Sequence, residues 1–111
     1  MRLFFPIAAV AGLVLFTATL KAQQPRMTTV EPDTAKVGDL VSAKGQEIDN
    51  ANVDMLYLTD SIDDFKCQMV EQTATAIKFK VPETIKPGRW ALMVHTKKGQ
   101  LIEEPVKLTV K

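Results

Sequence analysis

Strict alternation of apolar and polar residues is the feature that most constrains the fold of this chain. The segment Ile77-Lys78-Phe79-Lys80-Val81 repeats with a period of two. This period suits a half-buried β-strand, whereas the apolar positions of a helix recur after three or four residues. The same alternation runs through residues 65–69, 90–95 and 106–111. No stretch after residue 25 shows helical periodicity, so we expect an all-β fold.

Turn-forming residues separate these alternating segments. Examples are Gly38-Asp39, Asp49-Asn50 and Pro87-Gly88, which favour chain reversal. Strands separated by turns every 8–12 residues or so are typical of a β-sandwich or a small barrel. We predict about seven strands, at residues 26–31, 39–45, 52–59, 64–71, 75–81, 88–97 and 101–110. Pro105 falls inside the last of them, which therefore needs a bulge or an edge position because proline donates no ladder hydrogen bond.

The first 22 residues differ from the rest of the chain. Residues 3–20 carry no charge, follow Arg2 and end just before Lys21-Ala22. A positive start, an apolar run and a small residue near its end predict a secretory signal peptide over 1–22, with an exported domain at 23–111. The alternative is an uncleaved membrane anchor, because the run is about long enough to cross a bilayer. Both alternatives predict export, to the periplasm or the exterior, and membrane attachment only if the segment is retained.

Composition excludes several classes of protein. Arg2 and Lys21 are the only two of the 14 basic residues within 1–22, and none of the 13 acidic residues lies there, so the exported part is nearly neutral. A nucleic-acid partner is not expected, because such binders carry a basic excess or stripe. Cys67 is the only cysteine, so no disulfide framework can form within the chain. The apolar core alone must stabilise the domain, and the alternation assigns Phe79, Trp90 and Leu92 to it.

Three motifs of this chain are similar to those of IPT/TIG domains. The first is the segment 30–45, VEPDTAKVGDLVSAKG, in which a proline turn precedes a glycine and an alternating strand ends in a second glycine. The second is the strand Ile77–Val81 closed by Pro82, and the third is the segment 87–94, PGRWALMV. In this order the motifs resemble that family, whose fold is immunoglobulin-like. The doubled glycine common in the first turn of many members is missing here.

The resemblance implies an immunoglobulin-like β-sandwich of about seven strands, preceded by the signal peptide. It also implies a module of extracellular and cell-surface proteins, in a family without shared catalytic residues. We therefore expect no enzymatic activity and no cofactor. The expected function is that of an interaction or structural module at the cell envelope, which presents a sheet face or a free edge strand to a partner.

Candidate reactive groups are few. Cys67 and His95 are the only cysteine and histidine, and the alternation places them on opposite faces, so we expect a buried thiol instead of a catalytic pair. The acidic segments 49–54 and 60–64 offer oxygen atoms, but neither has the spacing of a calcium loop, and we expect no metal site. Lys97 and Lys98 are balanced by Glu103 and Glu104 and are interpreted as groups for edge protection and solubility, not as a polyanion site.

One surface patch is a candidate binding site. If strands 52–59 and 88–97 are neighbours, Tyr57, Met93 and His95 share the outer face of the sheet, near Lys107 and Thr109. We predict that these three residues contact a protein or a glycan at the cell envelope. Carbohydrate binding is the alternative function to protein interaction, and Tyr57 is the only aromatic residue of the exported part that the alternation leaves outside the core.

Overall fold

Residues 24–111 are described by the computed structural model, so the predicted signal peptide at 1–22 lies outside the described residues. Within 24–111 all regular structure is β, and no helix there could cross a membrane. The eight strands are β1 (Arg26–Glu31), β2 (Thr34–Ala35), β3 (Leu40–Gln46), β4 (Val53–Thr59), β5 (Asp64–Gln72), β6 (Ala76–Lys80), β7 (Gly88–Thr96) and β8 (Leu101–Val110). The all-β prediction is confirmed.

The strands form one continuous sheet in the order β1-β3-β6-β5-β4-β7-β8-β2. The first part of β5, residues 64–67, pairs with β4, and residues 68–72 pair with β6 after the strand changes partner. The end strand β1 approaches β8, the strand before β2 at the other end, and the Met27 N–H of β1 donates to a carboxylate oxygen of Glu104 on β8 at 2.8 Å. The sheet is therefore nearly closed and barrel-like. The prediction of a seven-stranded sandwich is wrong, because β5 is long enough to continue the hydrogen bonding from one side of the core to the other.

The eighth strand is β2, which the alternation did not predict. It has two residues and runs parallel to the end of β8, with Thr34 opposite Thr109 and Ala35 opposite Val110. Hydrogen bonds from Thr109 N–H to the Asp33 carbonyl and from Lys111 N–H to the Ala35 carbonyl extend this pairing. Two residues are too few to show a period, so only the fold reveals the strand.

The core contains the residues that the alternation assigns to it. Ile77 and Phe79 of β6 are fully buried, as is Leu92 of β7. Trp90 is also buried and packs edge-on against Phe65, with ring centroids 5.4 Å apart and an interplanar angle of 85°. Burial of each such side chain stabilises the fold by about 1.5–3 kcal/mol on transfer scales, and these residues belong to one continuous buried cluster.

Local backbone features agree with the sequence. Gly38 has a φ of +82°, where a side chain would be strained. Gly45 lets β1 approach β3, because a Cβ atom there would lie 1.9 Å from the Arg26 carbonyl oxygen. Pro105 lies in the irregular part of β8 opposite Leu92, between the register pairs Ala91–Lys107 and Met93–Glu103. The predicted bulge around Pro105 is confirmed.

Candidate functional site

The pairing of β4 with β7 brings the three predicted contact residues together. Tyr57 lies directly opposite Met93, and His95 lies opposite Met55, one pair further along the same face. All four side chains are partly exposed. The flanking residues Leu56, Leu58, Leu92 and Val94 point into the core and are fully buried. The alternation along both strands thus places the four residues on the outer face, as predicted for Tyr57, Met93 and His95.

Charged and apolar residues of the neighbouring strands extend this surface. Tyr57 is opposite Lys66 on β5, and Met93 is opposite Glu103 on β8. Leu101 lies opposite His95 and is 57% exposed. The outer-face patch is defined here by its five central residues Met55, Tyr57, Met93, His95 and Leu101. A basic group and an acidic group lie on its two sides, and Lys107 and Thr109 lie further along β8 opposite Ala91 and Arg89.

A bulge in β4 adds a hydrogen-bonded pair of side chains, Asp54 and His95, to the patch. The register shifts between Val53 and Met55, so that Asp54 as well as Met55 reaches His95. The Asp54 carboxylate lies 2.5 Å from the Nδ1 atom of His95. This hydrogen bond holds the pKa of Asp54 below its ordinary value, despite some desolvation. The pair fixes the imidazole ring, and sequence alternation alone could not show it because a bulge interrupts the period of two.

Tyr57 is also held in position by its own strand. Its hydroxyl group donates to the Met55 sulfur at 3.4 Å. Sulfur is a weak acceptor, so the phenol can exchange this contact for a stronger acceptor supplied by a ligand. Tyr57 and Met93 together offer an aromatic and a polarizable surface, a combination enriched in the cores of protein interfaces.

Cys67 lies inside the fold. It is opposite Leu56 on β4 and is buried, and this burial raises the pKa of its thiol to about 12. A thiol with this pKa is almost entirely protonated at neutral pH and is a poor nucleophile. The predictions that Cys67 is buried and that it does not face His95 are confirmed.

The two acidic segments form turns. One carboxylate oxygen of Asp60 accepts the backbone N–H groups of Ile62 and Asp63 at 2.9 and 2.7 Å, which lowers the pKa of Asp60. The Asn52 side-chain amide donates to the Asp49 carboxylate at 2.9 Å. These are the local contacts typical of Asx turns. Among residues 24–111, no three His, Cys, Asp or Glu side chains are arranged to hold a metal ion.

Glu104 does not act as a surface charge that balances Lys97 and Lys98. It is 4% exposed and is not a solvated surface charge. The alternation of β8 turns it inward together with Ile102 and Val106, which pack against the core. Burial raises the pKa of Glu104, although the Met27 N–H and Arg26 favour its charged form. The signal was present in the sequence, because Glu104 has the same parity as Leu108 and Val110.

Comparison with known proteins shows the fold only. No protein-family model matches the chain, and no curated protein matches it significantly. Among solved structures it is similar to a protein of unknown function from Bacteroides thetaiotaomicron VPI-5482, with a TM-score of 0.68, 16% identity and 80% of this chain covered. A second is the γ-CGTase of alkalophilic Bacillus clarkii, with a TM-score of 0.63, 20% identity and 79% covered.

A third similar structure is SGBP-B of the mixed-linkage glucan utilization locus of Bacteroides ovatus, in complex with a mixed-linkage heptasaccharide. Its TM-score is 0.59, with 15% identity over 81% of this chain. The chain spans 22% of the Bacteroides thetaiotaomicron protein, 12% of the γ-CGTase and 23% of SGBP-B. In each case it corresponds to a small part of a much longer protein.

Proposed function

We propose that this chain is a non-enzymatic binding or structural module of the cell envelope, and that the outer-face patch is its contact surface for a protein partner. The single observation that carries the proposal is the register of β4 and β7, which places Tyr57 opposite Met93 and Met55 opposite His95 on one partly exposed face. Tyr and Met are enriched in interface cores, with polar groups at the rim. Lys66 and Glu103 supply that rim.

The sheet face fits this function better than a free edge. At one end of the sheet β2 has only two residues, and at the other end β1 is joined to β8 through Glu104. Short or covered edges protect a sheet against pairing with other chains. Partner binding by addition of a strand therefore has less support than binding to the face.

Three further parts of the proposal have their support in the sequence or the core. Export, to the periplasm or the exterior, is supported by the charge-free run at 3–20. Kinship with IPT/TIG domains is supported by the three motifs on β3, β6 and β7. Absence of enzymatic activity is supported by the burial of Cys67, which keeps the one thiol away from the His95 side of the sheet.

Site-specific photocrosslinking tests the protein-binding function. A photoreactive amino acid replaces Tyr57 in one variant and Leu40 in a control variant, since Leu40 is 51% exposed on β3, outside the patch. We expect crosslinks to one envelope protein from position 57 and none from position 40. Binding of that purified protein should then weaken on Met93→Ala. Equal crosslinking from both positions, or unchanged affinity of Met93→Ala, would contradict the proposal.

Carbohydrate binding is the second candidate function. It is supported by the glycan-bound structure of SGBP-B, which shares the fold, and by the partly exposed ring of Tyr57. A glycan array probed with wild-type protein and Tyr57→Ala distinguishes the two functions. Binding of a glycan that is lost in Tyr57→Ala and kept in Leu40→Ala would favour the carbohydrate function over the protein partner.

A further inference from the structure

A pocket opens where the end strand β1 approaches β8. It has a volume of about 830 Å³ and lies between the start of β1 and the bulged part of β8. No backbone pairing joins β1 to β8 in the described residues, where the Met27 N–H instead donates to Oε1 of Glu104. The seam between the strands is therefore held by the side chain of Glu104, and Glu104 is one of the residues that line the pocket.

The second oxygen of the same carboxyl group is unusual. Oε2 of Glu104 is buried and has no hydrogen-bond partner among residues 24–111. Buried polar atoms are hydrogen-bonded in the large majority of cases, and an unsatisfied one calls for a specific explanation. Leaving it unpaired costs free energy, so a ligand that supplies a donor to Oε2 recovers that cost on binding.

The remaining pocket wall indicates the shape of this ligand. Pro25, Ile102 and Pro105 supply apolar surface on the way to Glu104. The other charged side chains of the wall are Arg26 on β1 and Glu103 on β8. No ion pair joins Arg26 to Glu104 within the described part of the chain. An apolar stem that ends in a single positive donor matches this arrangement.

We propose that the pocket at the β1–β8 seam binds the side chain of a lysine from a partner protein, with its ammonium group donating to Oε2 of Glu104. An ammonium group fits better than a guanidinium group because only one carboxylate oxygen is available. The planar fork of arginine needs two acceptors for its preferred bidentate contact, and Met27 already occupies Oε1. This second contact site adjoins the outer-face patch at Glu103, and its test does not depend on binding at that patch.

Titration with small amines tests this site directly. n-Butylammonium chloride carries the stem and the charged group of lysine, and n-butanol is the matched neutral probe. Binding is followed by NMR at the Met27 amide of the 15N-labelled protein, because that N–H donates to the same carboxylate. We expect a saturable shift with n-butylammonium, and binding at least about 10-fold weaker for n-butanol, which lacks the charge-assisted hydrogen bond. We expect n-butylguanidinium to bind more weakly than n-butylammonium.

Two glutamine variants complete the experiment. Glu104→Gln keeps the size of the side chain but removes its charge, and should weaken n-butylammonium binding about 10-fold or more. Glu103→Gln removes a charge from the same wall and should change binding less than about 2-fold, because exposed ion pairs contribute little. The far-UV CD spectrum of each variant verifies its fold. The proposal would be overturned if n-butylammonium gave no saturable shift, if n-butanol bound equally well, or if Glu104→Gln bound n-butylammonium as tightly as the wild type. The comparison of n-butylammonium with n-butanol uses the wild-type protein only.

Discussion

Replacing Trp90 by alanine should remove a large part of the stability of this domain. Trp90 is 3% exposed, contacts the Phe65 ring edge-on, and donates its indole N–H to the Lys86 carbonyl at 3.0 Å. Truncation of a buried tryptophan costs about 3–5 kcal/mol, including the cavity that it leaves. The lost aromatic pair alone is worth about 0.5–1.5 kcal/mol, and this overlaps with the first figure. A domain of this size has a total stability of only about 5–10 kcal/mol.

Urea unfolding followed by far-UV CD measures this change, since the variant has no tryptophan fluorescence. Trp90→Phe keeps most of the apolar volume and loses the hydrogen bond to Lys86, so it should cost about 1 kcal/mol from that bond. Leu101→Ala is the surface control and should change stability by less than about 0.5 kcal/mol. If Trp90→Ala lost less than about 1 kcal/mol at an unchanged denaturant slope, Trp90 would not be the major core contact described here.

Three further predictions follow from single contacts. Gly45→Ala should lower the unfolding temperature by several degrees, because the added Cβ meets the Arg26 carbonyl oxygen; an unchanged temperature would show that β1 can move away without cost. Glu104 has a raised pKa in the folded state. Its contribution to the free energy of unfolding is therefore fully present below its ordinary pKa of 4.5 and is lost as pH rises through the pKa of the folded state. Thermal melts at pH 4.5 and 8 should show this loss in the wild type and not in Glu104→Gln, and identical pH profiles would contradict it. Asp54 has a lowered pKa, so its contribution to the free energy of unfolding is lost as pH falls below about 3.8. Thermal melts at about pH 3 and pH 6 should show this loss in the wild type and not in Asp54→Asn, and equal losses in both proteins would contradict it.

The strands were predictable from the sequence to the extent that one face of each is buried. The alternation at Ile77 and Phe79 predicted β6, and alternation also predicted which faces of β3, β7 and β8 point into the core. The strand β2 and the closure of the sheet were not predictable, because both depend on contacts between distant segments. Pairing of β5 with both β4 and β6 likewise depends on where a long strand bends, and the local sequence does not encode this directly.

In the candidate site, too, the features set by alternation were predictable and those set by irregular pairing were not. Positions of Tyr57, Met93 and His95 on one face follow from the period of two and from the neighbouring strands. The Asp54–His95 contact exists only because β4 has a bulge, which shifts Asp54 out of its expected phase. For Glu104 the alternation was informative and the charge was misleading. Its position in the two-residue period of β8 predicted burial, whereas its charge suggested exposure. The position in the strand determined the outcome, and burial of the charge is offset in part by the Met27 N–H.

Because β5 exchanges hydrogen bonds with β4 along one part of its length and with β6 along the rest, this strand connects the two flanks of the sheet. Separation of β5 from either neighbour leaves part of its backbone without hydrogen-bond partners and exposes the core that both flanks share. The chain should therefore lose its structure in a single cooperative step, with the amides of β5 among the last to exchange with solvent.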